Sequence, residues 1–424
     1  MHKRWIIGLS SGSSLDGVEA ALVEVEGIGL EMQPRLAHQV HQDYPRDLRE
    51  LIVRVETASA EADAARDGAT ESPPSFGRRT YYGKHAGLLH RLLGEIFTMA
   101  ALKVAEQGRL SMQQIQCIGF PGHTIWHDAE GRYASTLCLG MAPLVAERTG
   151  LTAISDFRTR DVAAGGQGFP LTAIVDFLLF RRPEEHRVLL HLGELATLVG
   201  LPAGGLLRDV VGFQAAPCNI LLDGLMRKLT NGRELFDTGG KHAVQGRCIE
   251  PILQQWLAHP ALLRKPPKSL HRHAFGDDFV AQAVRQAQEN HWPMHDLLCT
   301  ATHFVARAIA SALKRFLPSA PARVLLSGGG IRNGFLWHLL AQQLPGVPLE
   351  KTDNHGVPAH MRKAVASAGL AALIMDNVPA NLPPVTGAGG TRLLGSITPG
   401  STTNWARCLA WMARQAVPPH LYAA

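Results

Sequence analysis

Three turns rich in glycine and serine are the segments of this chain best suited to bind an anion. They lie at residues 8–17, 191–194 and 327–330. Small residues let backbone N–H groups approach a phosphate closely, and serine hydroxyl groups add further donors. None of the three is a Walker A or GxGxxG motif, and the first, taken alone, is equally compatible with an ordinary hairpin tip. Turns placed early, in the middle and late are what a two-domain phosphotransferase requires.

A dense group of charged residues lies at residues 156–161, which read Asp-Phe-Arg-Thr-Arg-Asp. Two carboxylates and two guanidinium groups beside the glycine-rich residues 165–168 suit a hydroxylated or carboxylated ligand. The alternative is a cluster of ion pairs within a surface loop. In the first turn, Asp16 is suited to hold a Mg²⁺-bound water near phosphates.

The elements that must position these turns mix strands and helices. Hairpins are predicted over residues 5–25 and 187–199, from short apolar runs on either side of a turn. Residues 323–326 predict a strand that enters the third turn, with a helix over residues 333–343 after it. Residues 58–79 are small and charged, which predicts a flexible surface insertion.

The remaining apolar patterns predict further helices and strands. Helices are expected at residues 47–55, 81–105, 141–149, 171–180, 218–230, 297–316 and 363–375, and short strands at 117–119, 153–154 and 393–397. Beyond residue 400, an amphipathic packing helix or an interface helix is expected. The mixture predicts an α/β protein with two lobes facing a cleft.

The composition excludes several classes of protein. The 424 residues are 46% hydrophobic and 18% charged, which supplies enough apolar material for a large core. No apolar run approaches the roughly 18 residues of a membrane helix, and the six cysteines include no CxxC pair. The net charge of +6 is dispersed and aromatic residues make up only 6%, unlike a nucleic-acid-binding surface. The positive charge indicates a solvated surface or a pocket for a small anionic molecule. We expect a soluble, cytoplasmic protein that binds neither nucleic acid nor membrane.

Four segments match one known family in order and spacing. Residues 8–17 match GxMSGTSLDG, and residues 156–171 match DFRxxDxAxGGQGAPL with Phe169 in place of alanine. Residues 266–272 match part of PPKSTGRE, and residues 327–333 match CGGGxxN with serine in place of cysteine. In these segments the chain resembles the anhydro-N-acetylmuramic acid kinases of the actin/hexokinase/sugar-kinase superfamily.

This resemblance implies a fold and a reaction. The fold is a two-lobed, actin-like or hexokinase-like (ribonuclease-H-like) α/β kinase fold with a central cleft. Residues 1–150 plus 387–424 would form the first lobe and residues 151–386 the second. The reaction is the ATP- and Mg²⁺-dependent phosphorylation of the amino sugar 1,6-anhydro-N-acetylmuramic acid in peptidoglycan recycling. Water opens the 1,6-anhydro bond while O6 takes the γ-phosphoryl group, which gives N-acetylmuramic acid 6-phosphate; a homodimer is consistent with the superfamily.

The resemblance also implies two sets of binding residues. The residues implied for ATP are Gly12, Ser13, Ser14, Asp16, Gly193, Lys268, Gly328, Gly329, Gly330 and Asn333. Those implied for the sugar are Asp156, Arg158, Asp161, Gly165, Gly166 and Gln167. Asp16 is the residue implied for the metal, through a water molecule.

The catalytic segment departs from the family pattern. The family base is the aspartate of GFDxGPGN, and residues 212–219 place Gln214 at that position. An amide cannot accept a proton at neutral pH, and the loss of a general base costs about 10²–10⁴-fold in rate. The family segment NIGGxxN has Glu194 in this chain, which adds negative charge where a phosphate would approach. The family segment HGQT has His123 in place of its glutamine.

Three hypotheses about activity stay open at this point: a working kinase, a pseudokinase, and an enzyme of altered chemistry on the same scaffold. Another carboxylate could act as the base: Asp209, which the pattern assigns to a strand, or Asp223 on the following helix. Otherwise the chain is a pseudokinase that keeps a sugar- or nucleotide-binding role. We predict that canonical turnover is weak or absent because Gln214 cannot serve as the base.

Overall fold

The chain folds into two units, each with its own β-sheet. The computed structural model describes residues 3–12, 14–67, 76–130, 133–270 and 272–415. Unit 1 comprises the described residues of the ranges Met1–Leu179, Lys363–Pro383 and Ala388–Ala424. Unit 2 comprises Phe180–Arg362 and Pro384–Gly387.

The strands range from 3 to 11 residues in length, and most of their residues are buried. In chain order they are β1 (Lys3–Ser11), β2 (Gly17–Glu26), β3 (Gln33–Asp43), β4 (Ile115–Phe120), β5 (His123–Asp128), β6 (Ser135–Leu139), β7 (Thr152–Ser155), β8 (Arg187–Leu192), β9 (Leu195–Leu201), β10 (Val211–Pro217), β11 (Arg323–Ser327), β12 (Leu349–Lys351) and β13 (Ser396–Thr398).

The helices range from 4 to 32 residues in length. In chain order they are α1 (Arg46–Asp67), α2 (Phe76–Gln107), α3 (Ala142–Thr149), α4 (Thr159–Ala163), α5 (Ala173–Phe180), α6 (Asn219–Leu229), α7 (Glu250–Leu257), α8 (Pro260–Leu263), α9 (Asp277–Glu289), α10 (Met294–Phe316), α11 (Gly334–Gln343), α12 (Arg362–Met375), α13 (Pro383–Thr386) and α14 (Thr402–Arg414).

The two larger sheets share a five-strand order, to which the sheet of unit 1 adds β13 beside β7. The sheet of unit 1 has the order β13-β7-β4-β1-β2-β3, and the sheet of unit 2 has the order β10-β9-β8-β11-β12. In each, three consecutive strands form an antiparallel meander, and the first strand of that meander also pairs in parallel with a later strand. A further parallel pair, β4 with β7 or β11 with β12, extends each sheet. This 3-2-1-4-5 order in both units is the ribonuclease-H-like arrangement of actin-like kinases, and it confirms the predicted α/β fold class.

Two glycines let helix α12 pack directly on the sheet of unit 1. A Cβ atom on Gly8 of β1 would lie 2.0 Å from the carbonyl oxygen of Ala364, and one on Gly119 of β4 would lie 2.5 Å from that of Ser367. No larger residue fits at either position without moving the helix. The alanine-rich sequence of α12 completes this close contact.

The prediction of a flexible insertion over residues 58–79 was wrong for the residues that are described. Helix α1 continues to Asp67, and α2 begins at Phe76; residues 68–75 lie outside the described residues. The segment after residue 57 repeats alanine among charged residues. Alanine favours helix without any apolar periodicity, and the prediction relied on periodicity.

The unit boundaries differ from the predicted lobes at residues 150 and 387. Residues 151–179 and 363–383 belong to unit 1. Strand β7 pairs with both β4 and β13, and α12 covers the same sheet. Hydrogen bonds between strands that are far apart in sequence assign these residues to unit 1. The order of the elements along the chain does not reveal this assignment.

Helix α14, expected as either a packing helix or an interface helix, is attached to unit 1 by polar contacts. The side-chain oxygen of Asn404 accepts hydrogen bonds from both the backbone N–H and the hydroxyl of Thr152, each at 2.7 Å. The Asn404 amide also donates to the Gln116 carbonyl at 3.0 Å. Among the described residues, no helix combines the length and the apolar character needed to cross a membrane.

A buried ion pair joins the first strand of unit 1 to its later helices. Arg4 donates to both oxygens of Asp376 at 2.5 Å, and Asp376 has no exposed surface. The same carboxylate accepts from the backbone N–H of Gly29 and the indole N–H of Trp411, both at 2.8 Å. The Arg4 guanidinium also lies 4.6 Å from the centre of the Trp411 ring.

Replacing Asp376 by alanine should destabilise the protein strongly, because Arg4 would keep a buried charge without its partner. We expect Asp376→Ala to lower the free energy of unfolding by about 3–5 kcal/mol, measured by urea denaturation. Arg46→Ala, which breaks the exposed Arg46–Glu50 pair, is the control and should change it by less than about 0.5 kcal/mol. Similar small effects of the two substitutions would contradict this assignment.

Candidate functional site

The first glycine- and serine-rich turn closes the β1–β2 hairpin of unit 1. The Leu15 N–H donates to the Gly12 carbonyl at 3.3 Å, and Leu15 has a φ of +53°. Asp16 Oδ1 accepts from the Ser14 hydroxyl at 2.5 Å and from the Gly17 N–H at 3.0 Å. The carboxylate therefore helps to shape the turn. Ser13 lies outside the described residues.

A chain of hydrogen bonds that the sequence did not predict begins at Ser11, the last residue of β1 before this turn. The hydroxyl oxygen of Ser11 is 2.6 Å from His123 Nδ1, and His123 Nε2 is 3.3 Å from a carboxylate oxygen of Glu56. The phenol of Tyr44 donates to Ser11 Oγ at 2.6 Å. The only sequence signal was the histidine in the segment that resembles HGQT. Ser11 ends β1, Tyr44 follows β3, and Glu56 lies in α1.

The charged segment after β7 is organised around Asp161, which is fully buried. Asp161 Oδ2 accepts from the Gly168 N–H, and Oδ1 accepts from the Asn381 amide, both at 2.8 Å. A Cβ atom on Gly166 would lie only 2.2 Å from Asp161 Oδ2, so this position requires glycine. Residues 161–168 thus form a tight loop around one carboxylate.

The other predicted sugar-binding residues lie on the outside of this loop. Asp156 has a φ of +53°, and its Oδ1 accepts from the Thr159 hydroxyl at 2.7 Å. Gly165 is exposed, and Gln167 and Arg158 are half-buried. The group is therefore not simply a surface cluster of ion pairs, because its central acid is buried and bonded to backbone and amide groups.

Strand β5 connects the loop to the hydrogen-bonded chain below the first turn. Arg158 Nη1 donates to the Thr124 hydroxyl at 3.1 Å, and Thr124 follows His123 in β5. Unit 1 therefore brings together the first turn, β5 and the Asp161 loop.

In unit 2, Gln214 is held by the segment that contains Lys268. Gln214 Oε1 accepts from the Leu270 N–H at 2.6 Å, and its backbone N–H donates to the Lys268 carbonyl at 3.4 Å. The side chain is almost buried, with 9% of its surface exposed. The amide therefore has a structural contact in addition to its place at the family's base position.

Lys268, predicted to bind the nucleotide, is buried inside unit 2. Its ammonium donates to the Leu262 carbonyl at 2.8 Å and lies 4.8 Å from the centre of the Phe316 ring. Burial lowers the pKa of this ammonium to about 8. Its contacts are those of a packed core residue.

The second turn places two acidic groups close together. Glu194 follows Gly193 between β8 and β9, and its carbonyl accepts from the Cys218 N–H at 3.0 Å. Burial raises the pKa of Asp223 on α6 to about 7; Arg227 opposes the shift and the Glu194 carboxylate adds to it. Asp209, predicted within a strand, lies instead in a 3₁₀ turn, where it is exposed and accepts from the Leu206 N–H at 2.8 Å.

The third turn borders a cavity in unit 2. Gly328 has a φ of +87°, and a Cβ atom there would lie 2.6 Å from the Leu192 carbonyl oxygen. Asn333 caps α11 by accepting from the Leu336 N–H at 3.0 Å. The cavity, of about 200 Å³, is lined by Gly328, Gly329, Ile331, Arg332, Lys351, Asp353, Ala359 and His360.

The predicted residues are thus distributed over both units. Unit 1 holds Gly12, Ser14, Asp16, Asp156, Arg158, Asp161, Gly165, Gly166 and Gln167, and unit 2 holds Gly193, Gln214, Lys268, Gly328, Gly329, Gly330 and Asn333. Their roles in binding stay predictions.

Asp16 is the carboxylate of unit 1 that the resemblance implies for a magnesium ion. In the part of the chain that the structure describes, no three histidine, cysteine, aspartate or glutamate side chains converge as a metal site. Mg²⁺ in phosphotransferases is usually held by one or two carboxylates together with the phosphates of the substrate. Asp16 fits that donor set, because it lies in a turn of small residues.

Comparisons with known proteins agree with these motifs. The family model described as "Anhydro-N-acetylmuramic acid kinase" matches residues 79–400. The anhydro-N-acetylmuramic acid kinase of Gloeobacter violaceus is 37% identical over 396 residues, which cover 93% of this chain and 98% of that protein. The one from Acaryochloris marina is 34% identical over 400 residues, covering 92% and 99%.

The chain belongs to the anhydro-N-acetylmuramic acid kinase family. Among solved structures, the chain is similar to an activator of 2-hydroxyisocaproyl-CoA dehydratase from Clostridium difficile, solved with bound ADPNP. That match has 13% identity and a TM-score of 0.41, and it covers 87% of this chain and 94% of the other. A ROK family glucokinase from Streptomyces griseus matches with 12% identity and a TM-score of 0.34, covering 86% and 98%.

The raised pKa of Asp223 predicts that the free energy of unfolding of this protein decreases as the pH rises. The unfolded chain loses this proton near pH 4, whereas the folded chain keeps it up to about pH 7. Stability therefore falls as pH rises through this window, because the unfolded state releases the proton first.

Replacing Asp223 by asparagine removes this cost. We expect the stability advantage of Asp223→Asn over the parent chain to be larger at pH 8 than at pH 5, by on the order of 2 kcal/mol in urea denaturation. Asp209→Asn, in the exposed turn, is the control and should change stability by less than about 0.5 kcal/mol at both pH values. An advantage for Asp223→Asn that does not grow with pH would exclude a costly buried carboxylate.

Proposed function

We propose that this protein binds ATP and 1,6-anhydro-N-acetylmuramic acid and transfers the γ-phosphoryl group with opening of the 1,6-anhydro ring, more slowly than relatives with an aspartate base. The observation that carries the proposal is the loop built around the buried Asp161, because this loop is the longest uninterrupted match to the family. The family's curated members carry the kinase name over nearly the same length of chain. A cytoplasmic location, where ATP is available, belongs to the same proposal.

The Asp161 loop is suited to recognise the sugar. The buried carboxylate fixes the backbone from Gly166 to Gly168, so the loop does not have to be ordered when a ligand binds. Arg158 presents a guanidinium beside this loop, and a guanidinium forms paired hydrogen bonds with a carboxylate such as the lactyl group of a muramic acid. The half-buried Gln167 adds an amide that can donate to or accept from hydroxyl and acetamido groups.

The third turn, in unit 2, is proposed to bind the nucleoside. The cavity beside Gly328 in unit 2 has the size and the polar lining for part of a nucleoside, with Arg332, Lys351 and Asp353 as its charged groups. The turn at residues 12–17 in unit 1 would supply donors to the phosphates. Asp16 would hold the Mg²⁺ through water, and the ion would neutralise charge on the phosphates.

The third turn offers a test of nucleotide binding with an adjacent control. In Gly328→Ala the new methyl group would collide with the Leu192 carbonyl, at a positive φ that alanine disfavours. We expect ATP affinity to fall by about tenfold or more in isothermal titration calorimetry. Gly329→Ala, whose new Cβ atom would have its nearest neighbour at 3.7 Å, should stay within about threefold of the parent chain. Unchanged affinity in Gly328→Ala would contradict the nucleotide assignment.

The chemical step is where this chain departs from its family. Ring opening requires a base that takes a proton from the attacking water. Gln214 has no titratable group, and its Oε1 already accepts a hydrogen bond from Leu270. The residual rate then comes from positioning of the substrates and stabilisation of charge on the phosphates.

Restoring the carboxylate should restore turnover. We expect Gln214→Asp to raise kcat by about 10²–10⁴-fold, measured as ADP release with the anhydro sugar present. Gln214→Asn is the matched control: it has the length of aspartate and equally loses the reach of glutamine to Leu270, but it cannot accept a proton. If the parent chain already turns over as fast as Gln214→Asp, the proposed loss of the base is wrong.

A second candidate for the base is Asp223. A carboxyl group with a pKa of about 7 is close to the ideal for a general base at neutral pH. If Asp223 serves this role, Asp223→Asn should abolish the turnover that remains in the parent chain, without loss of ATP affinity.

A further inference from the structure

One side of helix α2 presents apolar side chains to solvent between charged ones. Leu88, Met99 and Leu102 have 46%, 50% and 41% of their surface exposed. At about 3.6 residues per turn, these positions lie on one side of the helix, within about 40° of Glu95. Exposed apolar groups that are aligned in this way mark an interaction surface. The stripe, called the α2 face below, consists of Lys84, Leu88, Arg91, Glu95, Met99, Leu102 and Glu106.

The opposite side of α2 belongs to the core of unit 1. Leu89, Leu93, Phe97 and Val104 are buried in one apolar cluster, and the helix packs against β2, β3 and α3. The core therefore fixes the rotation of the helix, and with it the direction of the α2 face. A surface that is already ordered loses little conformational entropy when a partner binds to it.

The α2 face is complementary to itself when it is read in the opposite direction. A twofold axis at Glu95 pairs each position before this residue with the position at the same distance after it. Leu88 and Leu102, seven residues on either side of Glu95, would then contact each other in two copies of the chain. Lys84 and Glu106, eleven residues on either side, would form an ion pair at each end. Apolar positions thus meet apolar positions, and opposite charges meet at both ends.

The charges at the centre of the face are already compensated within one chain. The Arg91 guanidinium lies 3.2 Å from the Glu95 carboxylate, and that of Arg148 in α3 lies 3.7 Å from it. Two copies of Glu95 can therefore approach each other without an uncompensated negative charge. Arg91 and Met99 are each four residues from Glu95, so the apolar stem of this arginine would cover Met99 of the other copy.

The geometry of paired helices permits contact along the whole face. From Lys84 to Glu106 the face is about 33 Å long at 1.5 Å per residue. Antiparallel helices that cross at about 20°, with their axes about 8–10 Å apart, keep the long side chains at both ends within reach of each other. A parallel pair would place Lys84 beside Lys84 and Glu106 beside Glu106. Charge therefore favours the antiparallel arrangement.

We propose that the α2 face is the contact between two copies of this chain, related by a twofold axis at Glu95. The partner is a second copy because the face matches its own sequence in reverse order, at its apolar and at its charged positions. The inference involves only α2 and α3 of unit 1, so it is independent of the proposed catalytic activity.

The first test measures the mass of the protein in solution. In sedimentation velocity we expect a dimer of twice 45.9 kDa at about 50 µM protein, and dissociation on dilution, because one helix pair is a small interface. Leu102→Lys places a cation against Leu88 and close to Lys84 of the other copy, and it should raise the dissociation constant by about tenfold or more. Leu206→Lys, at an exposed leucine of unit 2, is the control and should stay within about twofold.

The charged ends test the antiparallel register. Lys84→Glu replaces the attraction at each end of the dimer by a repulsion, and the twofold axis makes every substitution act twice. We expect the dissociation constant to rise by about tenfold, and Glu106→Lys should have the same effect. The double variant Lys84→Glu/Glu106→Lys exchanges the two charges and should return to within about threefold of the parent chain. Lys84, Leu102 and Glu106 are exposed, so an unchanged Tm in each variant verifies that it is folded.

Three results would overturn the proposed contact. The first is a parent chain that stays monomeric at about 100 µM, which would also be the outcome if the face binds a different protein. The second is a dimer whose dissociation constant does not respond to Leu102→Lys. The third is a double variant that dimerises as weakly as the two single variants, because the antiparallel register requires recovery. None of these results bears on ATP binding or turnover, so the proposed function is tested separately.

Discussion

The buried carboxylate of Asp161 is the interaction on which the candidate sugar site depends. It receives the Gly168 N–H on one oxygen and the Asn381 amide on the other. Asn381 in turn donates to the Gly390 carbonyl and accepts from the Arg392 N–H at 2.5 Å. A buried charge is retained only where such partners compensate its loss of hydration. One acid therefore joins the loop after β7 to a segment more than 200 residues later in the chain.

Charge distinguishes this chain from the pattern of its family. The position of the family base holds an amide in a buried hydrogen bond, while the second turn has gained the Glu194 carboxylate near Asp223. Unit 2 thus combines a missing acid at one position with an added acid at another. Unit 1, by contrast, keeps its loop and contains an imidazole that the family pattern lacks. The slow turnover that we propose follows from the missing acid at position 214.

Much of the fold could be predicted from local patterns. The two hairpins, the strand before the third turn and most of the helices appear near their predicted positions, because short apolar runs beside glycine-rich turns favour hairpins. The helix through residues 58–67 was missed because alanine propensity acts without apolar periodicity. Asp209 was assigned to a strand, but its carboxylate stabilises a turn through the Leu206 N–H, a side-chain contact that periodicity does not record.

The sequence by itself determined the family, the fold class and the amide at position 214, since motifs and single residues can be compared directly along a chain. Only the tertiary structure decided which residues share a unit and which groups meet. It assigned the Asp161 loop to the first sheet, buried Lys268 among aromatic rings, and brought Ser11 to His123 and Glu56. The physical reason is that strand pairing and core packing join residues that are distant in the chain. A hydrogen bond depends on position in space, and sequence separation carries no record of it.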